Sequence, residues 1–206
     1  MLQSQGEEFD QEIGRMTTLT INLNPFVVTD DQFYKLCQAN PELRLERKAS
    51  GEVVIMSPTG GETGIRNFRL SGQLWNWQEQ HQSGQAFDSS TGFKLPNGAT
   101  RSPDVSWISQ QRWDALPAKQ KRGFVPLCPD FVVELRSPTD DIEDTRAKMQ
   151  EYLDNGARLG WLIDPETRTI EIYEPSEEVE ILYNPERVAG DPILPGFVLT
   201  MKRVWG

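Results

Sequence analysis

The residues that could do chemistry in this chain are few and far apart. Asp104 follows Pro103 at the start of an apolar strand, and Glu134 sits inside Phe131-Val132-Val133-Glu134-Leu135. An unpaired carboxylate among those apolar neighbours is expensive, so Glu134 needs a partner. A structural ion pair and a functional role both meet that need. For Asp104 the commoner reading is a strand-end cap, and for Lys148, in the helical stretch beyond, a lysine snorkelling along a helix flank. If the two acids meet, they offer, with a backbone carbonyl and water, only hard oxygen ligands. That set suits Mg²⁺ or Mn²⁺ better than zinc or copper. Such an ion can hold a scissile phosphate and lower the pKa of a bound water.

The elements around these residues can be read from pattern. Side chains alternate along a strand, so Glu134 shares a face with Val132 and Arg136, while Phe131, Val133 and Leu135 take the other. Ser137-Pro138 stops that strand, and 140–155 is helical with an acidic first turn. Gly156 then closes the helix before a second strand, Leu159 to Ile163. Such a β-α-β unit forms a right-handed crossover, which lays the helix over one face of the sheet. Its apolar stripe is Ile142, Thr145, Met149, Tyr152 and Leu153. Lys148 lies at the edge of that stripe, able to reach the sheet and meet Glu134. Arg136 cannot act as a base, because its pKa is above about 12, so its possible roles are phosphate binding or an ion pair with Glu134.

Elsewhere, Thr29 to Ala39 carries a Thr-x-x-Gln capping box before an amphipathic helix. Leu43, Leu45, Val53 and Ile55 alternate around Ala49-Ser50-Gly51, a hairpin that is expected to begin the sheet. Ile65, Phe68, Gly72 and Trp75 recur at helical spacing up to about His81 and predict a long helix packed by that stripe. Trp75 is thus read as core, and Trp77 less firmly so. Further short strands are expected at 86–89, 92–95, 104–108, 169–173 and 179–183. No linker or repeat divides the chain. The economical reading is a flexible lead over residues 1–16 and one α/β domain over 17–206, with a mixed sheet.

Composition limits the partners. The 206 residues include 31 acidic and 21 basic side chains, a formal charge of −10, which repels nucleic acid at long range and confines any binding to a local site. Arg112, Lys119, Lys121 and Arg122 form the local basic cluster, for which a solvated loop is the commoner explanation. Cys37 and Cys128 have no partner at metal spacing, so neither a disulfide framework nor a zinc site is indicated, and a reducing cytoplasm is the simplest compartment. The single His81 reads as a surface residue. Thr59 to Gly64 lacks the Lys-Ser/Thr ending of a phosphate loop and reads as a turn into a helix. No apolar run is long enough for a membrane span, and the polar, acidic start is unlike a secretion signal.

Several runs together are similar to one family. They are Arg101-Ser102-Pro103-Asp104-Val105, the run Pro129-Asp130-Phe131-Val132-Val133-Glu134-Leu135-Arg136-Ser137-Pro138, Lys148 in the next helix, and Gly160-Trp161-Leu162-Ile163-Asp164-Pro165. In this order they resemble the Uma-type restriction endonuclease-like family, a branch of the PD-(D/E)XK nuclease superfamily. The likeness runs from about residue 25 to residue 203 and includes Leu194-Pro195-Gly196-Phe197. It implies a restriction-endonuclease-like core, a mixed central sheet flanked by helices, with added β-hairpins. It also implies Asp104 and Glu134 as ligands of Mg²⁺ or Mn²⁺. The motif's lysine would fall at position 136, where this chain has Arg136, and the family's helix lysine is matched by Lys148. Glu62, expected on the core-facing side of the first long helix, fits the extra helix acid of the superfamily, although a charge favoured by the helix dipole explains it equally well. DNA as substrate and a homodimer follow from the same likeness. Two functions therefore stand at this point. One is a metal-dependent endonuclease acting on DNA. The other is an inactive nuclease-like module binding nucleic acid or protein, with Glu134 salt-bridged to Arg136 or Lys148.

Overall fold

The computed structural model describes residues 18–23 and 26–206. The lead expected over residues 1–16 lies outside them. Two strands, β8 (Phe131–Leu135) and β9 (Leu159–Asp164), are buried at every position, as parallel strands covered on both faces must be. They run parallel, with Val133 opposite Trp161. Between them lies α5 (Ile142–Asp154), capped by the Asp141 side chain, which accepts from the Glu143 and Asp144 N–H groups. The β-α-β unit is therefore as its sequence predicts. Antiparallel neighbours β7 (Val105–Ser109), β4 (Gly84–Asp88), β10 (Thr169–Tyr173) and β11 (Glu180–Tyr183) complete a mixed six-stranded sheet in the order β11-β10-β9-β8-β7-β4.

Each face of this sheet has its own core. Phe131, Val133 and Leu135 pack under α2 (Gly61–His81), which contributes Leu70, Leu74 and Trp77. The same core takes Val188 and Leu199 from a C-terminal hairpin, β12 (Arg187–Ala189) and β13 (Val198–Thr200), and Val204 from α6 (Lys202–Trp205). Val132 and Leu162 point the other way, against Met149 and Tyr152 of α5. Gly160 of β9 makes that approach possible. A Cβ there would lie 2.5 Å from Met149 Cε, closer than any real contact.

A second sheet holds five strands in the order β1-β3-β2-β6-β5. Its centre is the predicted hairpin, β2 (Arg44–Arg47) and β3 (Val53–Met56), with Gly51 at φ 92° in the turn. The expectation that this hairpin begins the main sheet is corrected. The turn at 89–92 sends β5 (Phe93–Lys94) and β6 (Thr100–Arg101) away from β4, and β6 offers β2 its edge, with Arg47 opposite Thr100. β1 (Thr18–Ile21) closes the other side against β3. The helix α1 (Asp30–Ala39) has the predicted reciprocal cap. The Gln32 N–H donates to Thr29 Oγ1 at 3.3 Å and the Thr29 N–H to Gln32 Oε1 at 2.9 Å.

The orientation of α2 differs from the sequence reading. Its core stripe is Leu70, Leu74 and Trp77, while Ile65, Phe68 and Trp75 are 53, 81 and 55% exposed. Trp75 therefore faces outward. Trp77 is the buried tryptophan, stacking on His81 and donating its ring N–H to Pro195 O at 3.1 Å. The helix is apolar on two sides, and the leucine side fits the sheet. Among the described residues no helix is long and apolar enough to cross a membrane.

Candidate functional site

Alternation along β8 delivers Glu134 to the α5 side of the sheet. There Tyr152, one turn beyond Lys148, donates its hydroxyl to Glu134 Oε1 at 2.9 Å, and Lys148 Nζ lies 3.0 Å from the same oxygen. Lys148 also donates to Glu46 Oε1 at 3.0 Å. Glu46 comes from β2 of the other sheet and is buried. It further accepts from the Ser102 N–H at 2.9 Å and from Arg101 Nη1 at 3.0 Å. Arg101 in turn donates to Glu151 of α5 at 2.6 Å. A continuous row of charges thus runs Glu134–Lys148–Glu46–Arg101–Glu151. It binds α5 to the second sheet and fixes the backbone two residues before Asp104.

Asp104 sits where β7 begins beside the end of β8. Its Oδ2 accepts from the Leu135 N–H at 2.9 Å and its Oδ1 from Asn67 Nδ2 of α2 at 3.1 Å. Three chain segments therefore set its orientation. Asp104, Glu134 and Lys148, chosen from the sequence, meet in one electrostatic neighbourhood. Asp104 and Glu46 raise the pKa of Glu134, and Lys148 acts on both Asp104 and Glu134.

The burial of this group sets its protonation. Loss of water pushes the Glu134 carboxyl up to about 7 against the pull of Lys148, with the negative charges of Asp104 and Glu46 adding to the rise. Asp104 is also raised, by burial first, while the Leu135 N–H and Lys148 hold it down. Burial alone would lower the Lys148 ammonium, but Glu134 and Glu46 outweigh it and keep the amine charged. Burial works against ionisation of Glu46 too. Lys148 and Arg101 reverse that and leave it below the usual carboxylate range.

Two expected residues lie elsewhere. Glu62 is not on the core side of α2. Its side chain is 85% exposed and pairs with Arg66 one turn on, at 3.4 Å, in the first helical turn where the dipole favours an acid. Arg136 does not pair with Glu134. Beyond the end of β8 it donates to Asp164 Oδ2 at 2.9 Å, Glu166 Oε2 at 3.1 Å and Asp140 O at 3.2 Å, so carboxylates already hold the guanidinium expected to meet phosphate. Arg112 of the basic cluster is likewise engaged, with buried Asp130 at 2.9 Å. The sequence reading missed Glu46, Arg101, Asn67 and Tyr152. Tyr152 gave a signal through its place on the stripe beside Lys148, and Arg101 through its place in the run before Asp104; Glu46 and Asn67 gave none.

Among the described residues no three acidic, histidine or cysteine side chains gather to hold a metal ion. A cation here would rest on the two carboxylates of Asp104 and Glu134 with neutral oxygens beside them. One such oxygen is present: Asn67 Oδ1, next to Asp104, is buried and has no hydrogen-bond partner. An orphaned buried acceptor on the residue that bonds Asp104, an acid raised by desolvation, fits a hard divalent cation.

The chain was compared with known proteins. A solved structure from Anabaena variabilis ATCC 29413, described as a putative nuclease belonging to DUF820, is similar with a TM-score of 0.71 and 21% identity over 88% of this chain and 98% of that one. At that identity the likeness shows the fold, a nuclease-like mixed α/β architecture. No curated protein matches. A family model described as "Uma2: Putative restriction endonuclease" matches residues 30–202. Both the β2 hairpin that supplies Glu46 and the segments that supply Asp104 and Glu134 fall within that match, and the chain belongs to this Uma2 family.

Proposed function

We propose that this chain is a nuclease that hydrolyses DNA phosphodiester bonds with the help of a divalent cation held by Asp104 and Glu134. The observation that supports the reading is that Asp104, just before β7, accepts from the Leu135 N–H at 2.9 Å while Lys148 of α5 lies 3.0 Å from Glu134 Oε1, so that both flank the end of β8. Mg²⁺ or Mn²⁺ bound there would supply Lewis acidity to the phosphate and acidify a bound water. The remaining work falls to the chain itself. Leu135 N–H and Asn67 orient the Asp104 carboxylate. Glu46 holds Lys148 by a bond that does not depend on Glu134, so the ammonium stays in place when Glu134 engages a cation. Lys148, kept protonated, is a donor to the attacking water or to a phosphate oxygen and balances the negative charge that develops in the transition state. Tyr152 keeps one Glu134 oxygen in position.

The Lys148–Glu134 pair at 3.0 Å is also what an inactive nuclease-like module would use for stability. Calorimetric titration with Mn²⁺, alongside nicking of supercoiled plasmid in Mg²⁺ or Mn²⁺, separates the readings. The expected result is one Mn²⁺ site and cation-dependent nicking in the wild type, with Asp104→Ala losing the site and at least about 100-fold of the activity. A folded wild type with no binding heat and no nicking in either cation would establish the module instead.

A further inference from the structure

The outward face of α2 is the part of the molecule that the site leaves unused. Gly61, Ile65, Phe68, Gly72, Trp75 and Glu79 recur at spacings of four and three along one exposed side of a 21-residue helix. That is a heptad seam of the kind helices use to meet helices. Phe68 is 81% exposed, Trp75 55% and Ile65 53%. Between them, a Cβ placed on Gly72 would touch nothing within 4 Å.

The seam is complementary to itself. When two copies of a helix lie antiparallel about a two-fold axis level with Leu70, each seam residue shares a layer with the one whose number completes the same sum. Phe68 then lies beside Gly72 of the other copy, so the most exposed ring of the seam enters the empty place left by a glycine. Ile65 lies beside Trp75. In the outermost layer Glu79 meets the start of the other helix at Gly61, where Gly60 provides no side-chain cap and the dipole favours a negative charge. A parallel pairing would set Phe68 against Phe68 and Gly72 against Gly72, and would place like helix ends together. Ile65, Phe68 and Trp75 leave on the order of 400 Å² of apolar surface per copy. Against the roughly 800 Å² per partner of a standard interface, that is the centre of a modest dimer with the flanking residues forming its rim.

We propose that the exposed face of α2 docks a second copy of this chain, antiparallel and centred at Leu70, with Phe68 seated over Gly72 of its partner. The proposal rests on helix geometry and holds whether or not the chain cleaves DNA.

Sedimentation velocity over about 1–200 μM tests it. The wild type is expected to pass from monomer to dimer, and Phe68→Asp to raise the dimer Kd at least tenfold while its melting temperature at about 1 μM, where the wild type is monomeric, holds, since Phe68 lies outside the core. Gly72→Phe is expected to weaken the dimer to the same degree. A second measurement fixes the register. In a Cys37→Ser background, oxidising a mixture of Phe68→Cys and Gly72→Cys chains should give a disulfide-linked dimer that neither gives alone. A chain that stays monomeric throughout, or a dimer indifferent to both substitutions, overturns the proposal.

Discussion

Glu134 is the residue whose ionisation the fold resists most usefully. Its carboxyl is raised to about 7 from an ordinary 4.5, with burial the leading cause. Between those values the folded protein binds a proton that the unfolded chain has released, so this group's contribution to stability is full below about 4.5 and lost as pH rises through 7. Glu134→Gln removes the titration. The variant's melting temperature relative to wild type is therefore expected to climb from pH 5 to pH 8, as followed by circular dichroism. A difference that stays flat across that range would show that the site is not desolvated as described. Asp104 and Glu134 were legible in the sequence because each stands against its neighbours, one behind a proline and one among valines. Glu46 was not. It lies between Leu45 and Arg47 on a strand of alternating charge, and its partner Lys148 is 102 residues away, so nothing local marks it as buried. Asn67 is silent for the same reason, since an amide on a helix shows its meaning only when Asp104 arrives 37 residues later.

At the scale of elements, the crossover unit was readable because β8 and β9 are short apolar runs with clear stops, and the helix between them has one apolar stripe. α2 was readable as a helix but not in its rotation. It has two apolar sides, and periodicity weighed Ile65, Phe68 and Trp75 above Leu70, Leu74 and Trp77. Only the sheet beneath selects between them. The second sheet was missed as a separate layer because β5 and β6 are two residues each, too short for a period. Placement of Lys148 depends on how closely α5 lies on β9, and Gly160 sets that distance. Gly160→Val is expected to push against Met149 and cost about 1–3 kcal/mol, read as a lower midpoint in urea with an unchanged slope. Gly160→Ala should cost less, since the end of the methionine can swing aside. Because a displaced α5 carries Lys148 away from Glu134, the valine variant should also lose more of the cation-dependent nicking than the alanine one. Equal losses would detach the site from this packing.

For the whole molecule, charge would decide how the proposed DNA substrate arrives. A net charge of −10 repels a phosphodiester backbone, and the dimer proposed through α2 would double that charge. The ammonium of Lys148 is shared by two acids, Glu134 and Glu46, while Arg101 is held by Glu46 and Glu151. Under the proposed function, attraction for DNA would come from a cation held by Asp104 and Glu134, which would locally invert the field. In about 150 mM salt with EDTA, retention of duplex DNA on a filter is expected to be negligible, since few phosphates are neutralised by the protein's own side chains. Ca²⁺ fills sites of hard oxygens with tolerant geometry, and adding it should strengthen retention at least tenfold. Asp104→Ala should erase that gain, because it removes one of the two acids and leaves the overall charge less negative by one. Simple charge repulsion would predict the opposite sign for that substitution, a small improvement in binding. Retention that is equally strong in EDTA would mean that basic surface such as Lys119, Lys121 and Arg122 draws the DNA, and that the cation has no part in its capture.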